Sequence, residues 1–143
     1  MEKIMSTQNK NLLVKDVMLS LDEFPVISER VILKEALEAM GMTRLGIVCI
    51  TDQSGILVGI LTDGDIRRKL LSVQKPFSAF FVDDAIDHGI RNPKTTTPDS
   101  TLISAVEKMG ESQVWDLPVV DENGRLSGLL HLHPAIKALL DMS

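Results

Sequence analysis

Apolar positions along this chain switch between helical and strand spacing, and the same succession occurs twice. Leu33, Ala36, Leu37 and Met40 follow i, i+3, i+4, i+7 spacing, which predicts a helix with one buried face. Gly41 is expected to end that helix and Ser28, just before it, to begin its cap. Residues 47–50 and 56–61 are short apolar runs on either side of the turn Asp52-Gln53-Ser54-Gly55, the pattern of two neighbouring strands. Thr62-Asp63-Gly64-Asp65 breaks the second strand and starts a helix over 66–71. Residues 24–27, which contain Pro25, read as an edge or stub strand.

Residues 31–68 return without a gap 69 positions later, Leu33, Ala36, Met40, Asp52, Gly55 and Gly59 recurring as Leu102, Ala105, Met109, Asp121, Gly124 and Gly128. So strict a period means one structural unit made twice. The second copy predicts a stub at 95–97, a cap at Ser100, and a helix burying Leu102, Ala105, Val106 and Met109. Strands at 117–120 and 126–130 and a helix at 135–140 follow, with Pro134 where a first helical turn tolerates proline. Each copy is β-α-β-β-α and too small to be secure alone, since a unit of roughly 60 residues buries little surface. The expected fold is therefore α/β (α+β), two such repeats packed with pseudo-twofold symmetry. The expected division is a tail at 1–11, repeat 1 at 12–72, a linker at 73–83 and repeat 2 at 84–143. The linker region holds Phe77, Phe80 and Phe81, which either pack against the copies or form a self-association surface.

Composition narrows the class. Hydrophobic residues make up 44% of the 143 and aromatics 3%, so the core is aliphatic. A net charge of −5 argues against a broad nucleic-acid-binding face. Cys49 stands alone between Val48 and Ile50, which rules out an internal disulfide framework and suits a buried strand thiol. Residues 1–10 carry no apolar segment of a secretory signal, and no run is long enough to span a bilayer. A cytoplasmic protein without a membrane partner is expected.

With β-α-β-β-α twice and Gly59-Ile60-Leu61-Thr62-Asp63-Gly64-Asp65, the chain resembles a tandem CBS-domain pair, or Bateman module, from about Val14 to Leu140. The stretch from Gly59 through Asp65 to Ile66-Arg67-Arg68 resembles the CBS pair appended to arabinose-5-phosphate isomerases of the Kdo (lipopolysaccharide sugar) pathway. Gly128-Leu129-Leu130-His131-Leu132-His133 resembles the same family, which carries a His-x-His there. In that family a sugar isomerase domain precedes the pair. No such domain lies in these residues, so the isomerase chemistry is not carried over. The resemblance implies a regulatory module rather than an enzyme, associating as a dimer or tetramer, with an isomerase domain in the parent or partner protein.

Thr62 to Asp65 is the strongest site signal. Free N–H groups and the dipole of a helix start favour an anion, and the Thr62 hydroxyl adds a hydrogen bond to a phosphate. Gly64 lets the backbone approach closely, and the Asp65 carboxylate can accept from both hydroxyls of a ribose. CBS modules use this Thr-x-x-Asp motif for nucleotides. The plainer alternative is helix capping by Thr62 or Asp63, with Asp65 complementing the dipole. Arg68, one turn past Gly64, is the expected phosphate or carboxylate contact, against a solvated charged face shared with Arg67 and Lys69. Val26 would flank the base or ribose, or serve as a core residue, and Gly46 could admit a planar base.

In the second copy His131 and Pro134 stand where Thr62 and Asp65 stand in the first. Proline binds no ribose hydroxyl and has no N–H, so one nucleotide-type site is expected, at the first copy. His131 and His133 are two apart near a strand end and would share a face. Polar hydrogen bonding across the cleft is their plain role, contact with an acidic sugar a sharper one, and zinc would need a third ligand that is not evident. Arg91 is a further candidate anion contact, and Trp115, in the place of Gly46, is expected to fill the second cleft. His88 lies in the connecting stretch that leads into the second copy's pattern and Cys49 in a core strand, so no nucleophile–base arrangement is credible; Asp83-Asp84 read as a solvated connection. No metal and no resident cofactor is expected. The leading reading is a sensor whose ligand the resemblance implies to be cytidine-monophosphate-Kdo. The alternatives are an adenine-nucleotide sensor binding AMP or ATP, and a purely structural dimerisation module.

Overall fold

The computed structural model describes residues 12–72 and 76–141; the expected tail at 1–11 and the side chain of Phe77 lie outside the described residues. The described residues form a mixed α/β fold of two compact units, one within residues 22–93 and the other within residues 1–21 and 94–143. These units cut across the two sequence copies. The opening residues of the first copy join the second unit, and the segment between the copies joins the first.

In the unit of residues 22–93, strands β1 (Val26–Ser28), β2 (Ile47–Thr51), β3 (Leu57–Thr62) and β4 (Ile90–Arg91) form one sheet in that order. β1 runs parallel to β2, and the other pairings are antiparallel. Helix α1 (Leu33–Thr43) buries Leu33, Ala36 and Met40, the face that its spacing predicts. They pack with Val48 and Ile50 of β2, Leu61 of β3 and Ile66 of α2 (Asp63–Ser72). Each large aliphatic side chain so buried contributes roughly 1.5–3 kcal/mol. Cys49 is fully buried in β2.

The ends of the helices differ from expectation. α1 starts after Ile32, whose side chain makes no cap bond, while Ser28 lies in β1 and accepts from the Arg30 N–H at 3.3 Å. Gly41 is inside α1, which continues to Thr43 because the left-handed C-cap conformation falls on Arg44 at φ 60°. A glycine is favoured at a C-cap but not required there.

The inter-copy segment, from residue 76 onward, is folded onto this same unit. It forms the short helix α3 (Phe77–Phe81) and a 3-10 turn over Ala85–His88. Phe80 is 2% exposed and belongs to the core, whereas Phe81 is 36% exposed. Asp83 and Asp84 are more than a solvated connection. The Asp83 carbonyl accepts from the Leu33 N–H at 2.8 Å, its carboxylate bonds the His88 Nε2 at 2.9 Å, and Asp84 bridges to Ile32.

In the other unit, β5 (Asp116–Val120) and β6 (Leu126–His131) pair antiparallel between α4 (Leu102–Ser112) and α5 (Leu132–Asp141). Thr96 bridges to Val119 and Leu19 to Leu129, so single residues extend the pair where the first unit has β1 and β4. The expected stub at 95–97 is thus one bridge. The cap of α4 is Thr101, whose side chain accepts from the Ser104 N–H at 3.2 Å; Ser100 bonds the Thr97 hydroxyl instead. Val14, Leu102, Ala105, Met109, Leu117, Val119, Leu130 and Ala135 form the core.

Gly59 and Gly128 occupy the same place in the two copies, and each lets a crossing segment lie against the middle of a strand. A Cβ on Gly128 would stand 2.6 Å from the Leu19 carbonyl oxygen, and one on Gly59 would stand 2.9 Å from that of Ile90. Gly41, by contrast, has nothing within 4 Å of where a Cβ would be. Urea unfolding should therefore separate the three. Gly128→Ala and Gly59→Ala should each cost about 1–3 kcal/mol through overpacking. Gly41→Ala should stabilise α1 by roughly 0.5–1 kcal/mol.

Candidate functional site

The β3–α2 junction is a sharp strand-to-helix turn held by three short-range bonds. The Thr62 hydroxyl donates to Asp65 Oδ2 at 2.8 Å, and the Thr62 N–H donates to the same oxygen at 3.2 Å. The Asp65 N–H returns a bond to Thr62 Oγ1 at 3.1 Å. This is a reciprocal capping box, in which two helix-start N–H groups are satisfied by side chains three residues apart. Thr62 ends β3 because its hydroxyl offers the backbone this alternative to the sheet ladder. Asp63 and Asp65 in the first turn complement the positive end of the helix dipole.

The other Asp65 oxygen is also engaged. Arg68 Nη2 donates to Oδ1 at 2.6 Å, and the side chains are 65% exposed for Arg68 and 11% for Asp65. Gly46, at φ 67°, precedes β2 and accepts the Asp63 N–H at 3.0 Å. The space beside its Cα is taken by the Asp63 carboxylate, whose Oδ2 lies 3.0 Å from where a Cβ would be. Glycine is thus demanded there both by the positive φ and by this approach. Asp63, Gly64 and Arg67 line an open cleft of about 340 Å³.

The structure brings Thr62, Gly64, Asp65 and Arg68 together, with Gly46 beside them. Arg67 lines the cleft, whereas Arg68 is turned back onto Asp65. Val26 is 37% exposed at the β1 edge, opposite Cys49 and two residues along β2 from Ile47, the register partner of Thr62. Arg91 lies in β4 at the other edge of the sheet and is bonded to Asp87 at 3.0 Å, so it is not assembled with this group.

The corresponding junction of the second copy has different chemistry. His131 ends β6 and His133 is the second residue of α5, so the two share no strand face. His131 sits opposite Asp116 in the β5–β6 register, and its Nδ1 lies 2.7 Å from Asp116 Oδ1. An ionised carboxylate only accepts, so this partner places the hydrogen on Nδ1. Asp116 is 9% exposed at its side chain and takes the place of the buried Ile47 of the first copy. Trp115 does not fill a cleft: it is 72% exposed. Among the described residues no group of three or more His, Cys, Asp or Glu side chains is placed to hold a metal ion, and no helix is long and apolar enough to cross a membrane.

Asp63, Arg67 and Asp116 are not among the candidate contacts of the sequence: Asp63 reads there as a cap alternative, Arg67 as part of a solvated face, and Asp116 has no role. Asp116 was open to discovery, because antiparallel pairing about the turn at residues 121–124 puts it across from His131. The choice of Arg67 over Arg68 at the cleft had no signal in spacing, since successive helical residues project about 100° apart and the cleft has no period.

The family model for the CBS domain matches residues 14–72 and again 85–141. The chain belongs to the CBS-domain family and carries a tandem pair of its domains. It is 36% identical over 128 residues to an uncharacterised protein of Chlamydia pneumoniae, covering 87% of this chain and 38% of that one. It is 29% identical over 120 residues to the arabinose 5-phosphate isomerase GutQ of Salmonella typhi, covering 82% of this chain and 35% of that one. The chain therefore spans well under half the length of these relatives. Among solved structures it shares its fold with CBSX2 in complex with AMP, at a TM-score of 0.81 and 24% identity over 92% of this chain and 98% of that one.

The capping box should be measurable in stability. Replacing Thr62 by Val removes the hydroxyl's bonds to Asp65 and is expected to cost about 1 kcal/mol in equilibrium denaturation. Thr62→Ser should restore most of it.

Proposed function

We propose that this CBS pair is a regulatory module that senses a nucleotide or nucleotide sugar at the Thr62–Asp65 junction. The observation that carries the reading is the placement of Asp65, a largely buried carboxylate in the first turn of α2, next to a cleft lined by Asp63, Gly64 and Arg67. A ribose offers two adjacent hydroxyl donors, and a carboxylate is an acceptor for both. Arg67 supplies a positive charge for a phosphate. The structural neighbour with AMP supports a nucleotide as the ligand class, and the likeness to GutQ supports a place beside sugar-phosphate isomerase chemistry. On this reading the ligand is cytidine-monophosphate-Kdo, an activated sugar, or else AMP or ATP. The partner is a sugar isomerase domain in the same or another chain, within a dimeric or tetrameric assembly in the cytoplasm. Ligand occupancy acts by favouring one arrangement of that assembly over another, which requires different affinities for the two.

His131 and His133 belong to this proposal as the polar side of the second-copy junction. There the Asp116–His131 pair replaces the capping box, and Pro134 removes the ribose acceptor. One nucleotide site per chain is expected.

Calorimetric titration of the chain with AMP, ATP and cytidine-monophosphate-Kdo checks the reading. Saturable heat with one of them, at one equivalent, is expected. Asp65→Asn keeps an oxygen for the cap but loses the charge, and should weaken that ligand about ten-fold or more. No heat with any of the three rejects the sensor. Light scattering with and without ligand then separates a sensor from a constant structural dimer.

A further inference from the structure

The Asp65 carboxylate has one oxygen for structure and one that is contested. Oδ2 is held by the hydroxyl and N–H of Thr62. Oδ1 receives Arg68 Nη2 at 2.6 Å. The same guanidinium lies over Gly64: a Cβ there would meet Nη1 at 3.3 Å, Nη2 at 3.6 Å and Cζ at 3.8 Å. Arg68 therefore covers the two features that the proposed ligand would use, the acceptor for a ribose and the bare backbone of the first helical turn. Its own side chain remains 65% exposed, so it can leave without giving up a packed position. Arg67, the next residue back, lines the open cleft and does not share this contact.

We infer that Arg68 is a displaceable cover on the ligand site, an internal competitor for Asp65 that a ribose must exchange for its own hydroxyls. The inference rests on the nucleotide reading given above and reverses the role that sequence spacing assigns to Arg68. Arg68 sets the threshold of the sensor rather than adding to its affinity. A ligand with two vicinal hydroxyls can replace a charged donor at Asp65; one lacking them leaves the carboxylate uncompensated or the cover in place. Arg68 is the solvated partner of this pair, and an ion pair with one solvated side chain contributes little and is screened by salt. The cover is thus weak enough to yield to a ligand and sensitive to ionic strength.

An uncharged nucleoside isolates this effect, because it has no phosphate for an arginine to meet. Adenosine and cytidine are titrated calorimetrically into the full chain and into Arg68→Met, which keeps the aliphatic stem, at low and at high ionic strength. The variant should bind the nucleoside roughly two- to five-fold more tightly than the parent chain at low salt. Added salt should tighten binding to the parent and leave the variant unchanged. Binding to the variant alone would support the cover and the site together. Equal or weaker binding by the variant, with a salt response that matches the parent, overturns the cover while leaving the nucleotide reading intact. No binding of either nucleoside to either protein removes the ribose assignment at Asp65, and the cover with it. Circular dichroism of the variant checks that α2 is still formed.

Discussion

The close approach of chain segments at Gly59 and Gly128 is the constraint on which both units depend. Each copy's own hairpin, β2–β3 or β5–β6, presents an edge that its neighbouring helices do not cover. That edge is closed by the opening segment of the other copy: Ile90 beside Ile60, and Leu19 beside Leu129. The exchange requires a strand position with no Cβ on the side where the segment crosses, and glycine alone meets that need. A unit of this size gains its security from such an exchange, because an isolated hairpin with two helices buries too little surface. The covalent copies and the compact units differ for this reason.

On that scaffold the two strand-to-helix junctions have diverged. Both keep the backbone turn, shown by the matching bonds from Asp63 N–H to Gly46 O and from Leu132 N–H to Trp115 O. In the first copy the side chains close a capping box and leave a charged rim. In the second a carboxylate–imidazole pair bridges the strands below the turn. Burying Asp116 next to the sheet is tolerated because His131 is there to donate to it, since a buried carboxylate without a donor is costly. A common backbone thus carries two different surfaces, and the proposed nucleotide site uses the acceptor and cation of the first.

The first junction also shows how capping and recognition can share one residue. Asp65 divides its two oxygens, one toward Thr62 and one toward Arg68. The plain role of Asp65 as a cap and its proposed role as a ribose acceptor are therefore not exclusive: the cap orients the carboxylate that the ligand would use. Preorganisation of this kind lowers the ordering cost of binding.

The duplication, the aliphatic core and the helix–strand–strand–helix order within each copy were legible in the residues alone, whereas α3 and β4 were not. A helical face such as Leu33, Ala36 and Met40 is a local periodicity, and local periodicity needs no knowledge of what covers it. The Thr62–Asp65 turn was legible for the same reason, its bonds spanning three residues. Helix ends were less so: Arg44 and Thr101 took the places expected of Gly41 and Ser100, because several residue types satisfy a terminus at similar cost. What only the tertiary structure decided was which segment closes which sheet, that Phe80 and His88 fold onto the first unit, and that Asp116 meets His131. It also decided that Arg68 turns to Asp65 while Arg67 faces the cleft. Each of these joins groups by space rather than by spacing, and a one-dimensional pattern records the period of a face but not the neighbour against which it packs.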